Sequence, residues 1–402
     1  MKDLNIYLLE ASLLFALVIN IFRSEHLTNQ SIIFFAAILF VAFILFSIIP
    51  IKSKLIKNVH FLVLILILVV TNSSILFQKI NERKNMKASV HDGVIITEAA
   101  YKALISGKNP YSVNFSEELS SQKYKGKIPN HAEERYPYSP ILIFMNVPIL
   151  LLSQSFGTVD MRITLTVFFF LTAAVGAYYV SQKRLFLIIF LTNPLFVPLL
   201  YYGANEILVL FWFFLCLAFL KMGRNTIATI MLALAFGTKL LIFPFIPFYF
   251  LYLYFFAKSS SKFKIIIGQI GVFILISLAI YGPFLLWNAQ DLTNDLLVSW
   301  IEGDDLGHSI VGFIGLPQIL ARLGLIGINS KFPFYIFIVP VSILYIIFSY
   351  KFLDKFRNLS VLLSLLVIYF LLIFSFSRIV QTYYLAFVSQ IMLLSAFSKE
   401  RE

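Results

Sequence analysis

Asp92 is a lone acid at the start of an amphipathic stretch, inside a polar insert that has long apolar sequence on both sides. An acid is favoured in the first turn of a helix, and Ser89 three residues earlier completes a capping-box pattern. A carboxylate fixed at a membrane surface can also take a proton from a hydroxyl group, as a general base does. The spacing fits both roles, and they are compatible because a helix start holds its carboxylate in place.

Asn205 and Glu206 separate an apolar run that ends at Tyr202 from another that starts at Ile207. An acid at the boundary of a membrane span is simply solvated, whereas an acid within a span needs a partner or a function. The sequence leaves both interpretations open and makes the two residues candidates for substrate binding.

Two cations occur in apolar surroundings: Lys239 in LAFGTKLLIFPF and Arg378 in FSFSRIVQTYYL. Such a side chain either extends to the membrane interface or binds a phosphate group. Tyr383 and Tyr384, which follow Arg378, either belong to an interfacial aromatic belt or contact a substrate. We treat both cations as candidates for phosphate binding.

The histidines and the cysteine give no pattern of metal ligands. His91, His131 and His308 are far apart in sequence, and Cys216 is the only cysteine, within an apolar run. One cysteine forms no intrachain disulfide and makes a thiolate metal site unfavourable. We therefore expect no metal and no cofactor.

The composition identifies a membrane protein. Of the 402 residues, 60% are hydrophobic and 13% charged, and the mean hydropathy is +0.89. Apolar runs of about 20 residues recur, which is the length that crosses a hydrocarbon core. We expect one all-α polytopic domain over residues 1–402 with about 11–13 transmembrane helices. The predicted segments are 4–22, 31–51, 58–78, 140–156, 161–181, 185–201, 206–221, 226–237, 240–256, 264–287, 332–350, 358–376 and 382–398.

The net charge of +12 comes from short basic clusters between apolar runs. This distribution is typical of the cytoplasmic turns of a membrane protein, so it indicates orientation and excludes a nucleic-acid partner. It places two inserts, residues 79–139 and 288–331, on the outer side. A full crossing by 140–156 would put Lys183 and Arg184 outside. We expect instead that this short segment with Pro148 does not fully cross, although an exception to the charge bias at that turn is the other solution.

If 140–156 does not cross, Asn205, Glu206, Lys239, the 288–331 insert and the segment from Arg378 to Tyr384 face the same side as Asp92. Within the first insert, residues 93–106 have helical spacing with one apolar face, and Glu98 and Lys102 on the other face have the favourable i,i+4 order. The spacing predicts an amphipathic helix on the membrane surface. A second surface helix is expected near 309–325.

The order of these motifs resembles the GT-C superfamily of integral-membrane glycosyltransferases, and most closely its polyprenyl-phosphate-mannose-dependent branch. The similar features, spread over about 88–250, are an acid that opens the first external loop and a series of short motifs after it. They are Asp92, Gly107-Lys108-Asn109-Pro110-Tyr111, Tyr136-Pro137-Tyr138-Ser139-Pro140, Asn193-Pro194, Gly203-Ala204-Asn205-Glu206 and Thr238-Lys239.

The resemblance implies an inverting transfer of a hexose such as mannose from a polyprenyl-phosphate donor, outside the cytoplasmic leaflet. The acceptor hydroxyl belongs to a glycan, glycolipid or protein. Asp92 is implied as the general base, with Lys239 and Arg378 at the donor phosphate. Substrate binding is implied for His91, Tyr136, Tyr138, Asn205, Glu206, Tyr383 and Tyr384. The Lys-, Ile- and Phe-rich composition favours a bacterial plasma membrane, with the site facing the periplasm or exterior.

Two other functions remain open. A transporter or flippase for lipid-linked sugars would use Glu206 and Lys239 as intramembrane substrate or proton sites, but the halves of the sequence show no self-similarity of the kind that many transporters have. A polysaccharide polymerase or ligase also uses lipid-linked sugars, but we would expect its main external loop nearer the C-terminus.

Overall fold

A computed structural model of the chain describes residues 54–85, 90–121, 133, 135–155, 160–256, 262–298, 310, 312, 314–327, 330, 332–356 and 358–398. The predicted spans 4–22 and 31–51 lie outside these residues, as do Ser89, His131 and His308. The helices, numbered in chain order, are α1 Lys54–Lys84, α2 Asp92–Ile105, α3 Ser116–Ser121, α4 Pro140–Ser155, α5 Arg162–Tyr179, α6 Lys183–Thr192, α7 Val197–Tyr202, α8 Glu206–Lys221, α9 Asn225–Thr238, α10 Phe245–Phe256, α11 Lys262–Thr293, α12 Leu316–Arg322, α13 Tyr335–Lys355, α14 Leu359–Phe376 and α15 Thr382–Phe397.

The described part of the chain is an all-α polytopic membrane protein, as predicted. Five of its helices are long and apolar enough to cross a membrane: Phe61–Lys84, Arg162–Tyr179, Lys262–Leu297, Tyr335–Lys355 and Leu359–Phe376. Shorter apolar helices accompany them, and the β contact found among the described residues is a single bridge between Val180 and Ser398. The most apolar windows of α11 and α13 are only 6% and 11% buried within the protein. Most of the apolar surface of these two helices is therefore available to lipid.

Three predicted boundaries were wrong. Helix α1 continues to Lys84, so the first insert starts later than residue 79. The predicted span 185–201 is two helices, because Pro194 has no N–H for helical bonding and Asn193 Oδ1 accepts the N–H of Leu195 at 2.9 Å. Helix α11 passes its break at Asn288 and is followed by a π-helical turn, Asn294–Val298, so the second insert begins later than residue 288. Of the helix expected near 309–325, the structure contains Leu316–Arg322.

Within the predicted segment 140–156, residues Pro140–Ser155 form one helix, α4, with Pro148 inside it. Its 16 residues extend for about 24 Å, less than the hydrocarbon thickness of about 30 Å. The split predicted at Gly237-Thr238-Lys239 is confirmed, because α9 ends at Thr238 and a short 3-10 turn, Leu240–Ile242, precedes α10. The turn at Lys239 and the segment before α4 lie close to the start of α2, because Lys239 Nζ is 5.3 Å from the ring centroid of Tyr138 and the hydroxyl of Tyr138 is against Gly93.

Helix α2 occupies the predicted residues but is not a surface helix with a free polar face. Ten of its residues are buried, among them Glu98. The predicted Glu98–Lys102 pair is wrong: Glu98 binds Arg83 through Nη1 at 3.0 Å and Nη2 at 2.7 Å, and Lys102 is exposed. A planar guanidinium matches a carboxylate in this two-bonded geometry, which a lysine of the same helix cannot reproduce.

A buried network of four charges extends from this pair. Arg83 Nη1 also lies 3.1 Å from Asp160 Oδ2, and Arg162 binds both carboxylate oxygens of Asp160 through Nε at 2.9 Å and Nη2 at 2.8 Å. Burial alone would raise the pKa of Asp160, but hydrogen bonds and charge from Arg162, with the charge of Arg83, hold that pKa below its ordinary value. Two arginines and two acids leave the buried group neutral overall.

The network fastens four segments to one another. Arg162 donates to the carbonyl of Tyr201 at 3.1 Å and to that of Lys79 at 3.1 Å, and Glu98 accepts the N–H of Met161 at 2.8 Å. Helices α1, α2, α5 and α7 therefore meet at these side chains. In a membrane protein such groups must satisfy one another, because hydrocarbon offers no alternative partner.

We expect Glu98→Gln to lower the free energy of unfolding by about 3 kcal/mol, because it leaves the buried Arg83 without its matching charge. Lys102→Gln, on the exposed face of the same helix, should change stability by less than about 0.5 kcal/mol. Thermal unfolding of both purified variants in detergent measures the difference. Equal melting temperatures would contradict the structural role of the Arg83–Glu98 pair.

Candidate active site

The start of α2 is fixed by the turn that follows α7. The backbone N–H of His91 donates to the carbonyl of Tyr202 at 2.9 Å. The next residue, Gly203, has a φ of 110°, a left-handed conformation that L side chains rarely adopt. A Cβ atom on Gly203 would overlap the Cγ2 atom of Val94. Glycine at this position thus allows the turn to approach the first turn of α2.

Asp92 begins α2 and its carboxylate serves the helix start. Oδ1 accepts the backbone N–H of Gly93, the next residue, at 2.7 Å. Asp92 is an acid in the first helical turn, as expected, whereas Ser89, with which the predicted capping box begins, lies outside the described residues. The N-cap residue is His91, whose Nδ1 also accepts the N–H of Gly93, at 3.0 Å. The side chain of Asp92 stays 17% exposed, which leaves it open to a ligand.

His91 lies directly beside this carboxylate. Its Nδ1 is 2.9 Å from Asp92 Oδ1. A neutral Nδ1 accepts the Gly93 N–H, whereas a protonated Nδ1 donates to Asp92. The imidazole ring packs edge-on against Tyr202 and Tyr383, with ring centroids 5.4 and 5.5 Å apart. His91 therefore connects the carboxylate of Asp92 to the start of α15.

Lys239 lies at the end of α9 in a cluster of acceptors and aromatic rings. Its Nζ donates to Asn205 Oδ1 at 3.0 Å and to Glu206 Oε1 at 2.5 Å. The rings of Tyr138, Tyr383 and Tyr384 surround the ammonium, with centroids 5.1–5.7 Å from Nζ. Such rings attract a cation through their negative faces.

Glu206 and Lys239 differ in the exposure of their side chains, and this difference indicates their roles in the cluster. The side chain of Glu206 is 2% exposed and that of Lys239 is 12% exposed. Asn205 Nδ2 and Glu206 Oε2 are buried and have no hydrogen-bond partner among the described residues. Glu206 thus holds the lysine from behind, whereas the lysine reaches the surface of the cluster.

Tyr138 connects the two halves of the site. A Cβ atom on Gly93 would overlap the hydroxyl oxygen of Tyr138, so the phenol lies against the residue after Asp92, while the same ring faces Lys239. Burial, followed by the negative charges of Asp92 and Glu206, raises the pKa of the Tyr138 hydroxyl well above its ordinary value. The hydroxyl therefore remains neutral at physiological pH. The phenol of Tyr138 is thus close both to the start of α2, where Asp92 lies, and to the ammonium of Lys239.

The structure brings most of the predicted residues together. One contact network joins eight of them: His91, Asp92, Tyr138, Asn205, Glu206, Lys239, Tyr383 and Tyr384. Tyr136 lies behind Tyr138: it is fully buried, its hydroxyl is 3.4 Å from Thr97 Oγ1, and its ring packs against the Tyr138 ring with centroids 5.6 Å apart.

Arg378 lies between α14 and α15, where its backbone carbonyl accepts the Nε2 N–H of Gln318 at 3.0 Å. This contact ties it to α12. Its predicted phosphate-binding role stays a prediction. The described residues contain no group of three or more His, Cys, Asp or Glu side chains arranged to hold a metal ion.

Sequence reasoning missed the residues that position the site. Arg162 and Asp160 fix the carbonyl of Tyr201, and the neighbouring Tyr202 carbonyl then receives the N–H of His91. The acid Asp160 and the base Arg162, two residues apart at the edge of an apolar run, were a signal for a buried charge network. Their partner Arg83 is 77 residues from Asp160 along the chain, a contact that local patterns do not reveal.

In comparisons with known proteins, no family model matches this chain, and no curated protein matches it at a significant level. The class of the protein therefore rests on its fold, that of a helical membrane protein. Its function is argued below from the geometry of the site.

We expect Gly203→Ala to destabilise the protein by about 2 kcal/mol or more, because the new methyl group meets Val94 while the backbone keeps a positive φ. Gly107 is the matched control: its φ is also positive, at 74°, but a Cβ there would meet nothing within 4 Å. Gly107→Ala should cost about 1 kcal/mol. Thermal unfolding in detergent measures both.

Adding Val94→Ala to Gly203→Ala separates the steric effect from the backbone effect. If the overlap with Val94 matters, the second substitution restores part of the lost stability, which a double-mutant cycle detects. Simple addition of the two losses would show that the turn does not depend on this contact.

Proposed function

We propose that this protein is a glycosyltransferase that moves a sugar from a polyprenyl-phosphate donor to an acceptor hydroxyl, with inversion at the anomeric carbon. The observation that carries the proposal is that Asp92 and Lys239 both lie near Tyr138, whose hydroxyl is against the residue after Asp92 and whose ring faces the Lys239 ammonium. Such a reaction needs a base at the attacking hydroxyl and a positive charge at the departing phosphate. The family resemblance of the motifs points to the same reaction.

In this mechanism Asp92 takes the proton of the acceptor hydroxyl as its oxygen attacks the anomeric carbon. A bond forms between that oxygen and the carbon, and the bond from the carbon to the phosphate oxygen breaks on the opposite face. The electron pair leaves with the polyprenyl phosphate. Lys239 stabilises the negative charge that grows there, which lowers the energy of the transition state more than that of the bound substrate.

The contacts of Lys239 explain how a lysine that is paired with an acid serves an anionic substrate. Glu206 and Asn205 hold the ammonium at one position, so it needs no reorganisation when charge develops. The rings of Tyr383 and Tyr384 flank it and provide flat surfaces against which a sugar ring can stack. A hexose, with mannose first, is the sugar we propose.

The isoprenoid chain of the donor would run along the apolar faces of α11 and α13, which the protein leaves largely uncovered. Burial of that chain against these faces and the surrounding lipid requires no polar partner. The distribution of basic turns supports a site on the outer face of a bacterial plasma membrane. We also assign Arg378 to the donor phosphate as a second cation, the role that the family resemblance implies for it.

The ion pair of Glu206 and Lys239 favours one other function. A buried acid and a partly exposed lysine 2.5 Å apart at the ends of two helices also suit a transporter or a flippase for lipid-linked sugars, where such pairs form substrate or proton sites. That function makes no use of Asp92 as a base, so the two alternatives differ in their dependence on Asp92.

The test is transfer by purified protein supplied with polyprenyl-phosphate sugars. We expect Asp92→Asn to lower kcat by about 100-fold or more, because a general base contributes about 10²–10⁴ in rate. Asp354→Asn, at an exposed acid near the end of α13, is the control and should transfer at the wild-type rate. Full activity of Asp92→Asn would remove Asp92 as the base. Failure of the wild type with every donor, with transport of the lipid-linked sugar in vesicles, would establish the transporter instead.

A further inference from the structure

A second polar cavity, of about 280 Å³, lies beside the tyrosine segment that carries Tyr138. Its lining comes from the chain after α2, from the residue before Tyr136 and from the end of α11 with its π-helical turn. The lining residues are Tyr111, Ser112, Val113, Asn114, Arg135, Asp291, Asn294 and Asp295. None of them belongs to the Asp92–Lys239 cluster. The volume is close to the lower limit of small-molecule sites, about 300 Å³.

Several contacts give the cavity a fixed shape. Asp291 Oδ2 accepts from Ser112 Oγ at 2.5 Å and from Asn288 Nδ2 at 2.8 Å. Asp295 is 3% exposed, and its Oδ2 accepts the backbone N–H of Tyr136 at 2.9 Å. The two acids are four residues apart across the junction between α11 and the π turn. Such turns often occur at functional sites, because one extra residue changes the direction of the side chains.

The chemistry of the lining selects the ligand. Arg135, Asn114 and Asn294 supply N–H donors, the carboxylates of Asp291 and Asp295 supply acceptors, and the amides and Ser112 supply both. Because the lining contains two acids and one arginine, its balance of charges disfavours a phosphate. The guanidinium of Arg135 disfavours a bare cation, which prefers oxygen ligands alone. A ligand with many hydroxyl groups suits the set best, since each hydroxyl both donates and accepts.

The cavity also adjoins the candidate active site. Arg135 lines the cavity and Tyr138 faces Lys239, so the two sites share a segment whose extended length is at most about 10 Å. The hydroxyl of Tyr111, a lining residue, donates to the carbonyl of Tyr138 at 2.9 Å. A sugar in the cavity would therefore lie beside the segment that carries Tyr138, whose hydroxyl is against the residue after Asp92.

We propose that this cavity binds a sugar unit of the acceptor, so that the acceptor is a carbohydrate chain whose reacting hydroxyl reaches Asp92. The assignment rests on the proposed function for its meaning in catalysis, while the binding of sugars to the cavity stands on its own. Asp291 and Asn294 receive the sugar hydroxyls, and Asp295 holds the segment that leads to Tyr138.

The experiment measures binding of methyl glycosides of mannose, glucose, galactose and N-acetylglucosamine to the full-length protein in detergent by saturation-transfer NMR. We expect at least one probe to bind the wild type. Asp291→Asn combined with Asn294→Ala should raise its Kd about tenfold or more, the effect of losing hydrogen bonds to charged groups. Glu117→Gln, an exposed acid on α3 outside the lining, is the matched control and should bind like the wild type.

Asp92→Asn distinguishes failure of the cavity assignment from failure of the proposed function. This variant should bind the probe normally and lose transfer. Lost probe binding in the Asp291/Asn294 variant together with full transfer by Asp92→Asn would overturn the function and keep the cavity. Absence of binding by every probe, or equal Kd values in wild type and cavity variant, would overturn the cavity assignment. So would binding of Ca²⁺ that depends on Asp291 without binding of any sugar, because the cavity would then be a cation site.

Discussion

The buried contacts among Arg83, Glu98, Asp160 and Arg162 determine where the candidate active site can form. These four side chains join α1, α2, α5 and α7, and Arg162 also fixes the carbonyl of Tyr201. Removing four charges from water has a large cost that only close mutual pairing offsets. Once paired, they leave little freedom for the start of α2.

The chemistry of the site follows from that constraint. The turn after Tyr201 places the Tyr202 carbonyl at the N–H of His91, and Gly203 permits the close approach to Val94. Asp92 is thereby held at a helix start, where the N–H of Gly93 binds its carboxylate. Lys239 comes from a different part of the chain, at the break between α9 and α10. The phenol of Tyr138 lies against the start of α2 and faces Lys239, and its hydroxyl stays neutral near both charges.

The sequence was sufficient for the helical class and for the break at Gly237-Thr238-Lys239, since apolar runs and breakers act locally, but the break at Pro194 was missed. It also identified Asp92, Asn205, Glu206 and Lys239, because polar residues are conspicuous in apolar surroundings. It predicted the wrong partner for Glu98. The local candidate was Lys102, but the carboxylate binds Arg83 of another helix. Local spacing carries no information on such long-range pairs, nor on the orientation of α2 within the protein.

Steady-state kinetics of Lys239→Ala tests the central claim, that this lysine neutralises the donor phosphate beside Asp92. Lys221 is a matched control, because its Nζ also lies over a tyrosine ring, 4.7 Å from the centroid of Tyr179, and donates to a carbonyl, but outside the site. We predict that Lys239→Ala raises the donor KM and lowers kcat about tenfold or more, with an unchanged acceptor KM, whereas Lys221→Ala does neither. Unchanged donor KM and kcat in Lys239→Ala would contradict the account.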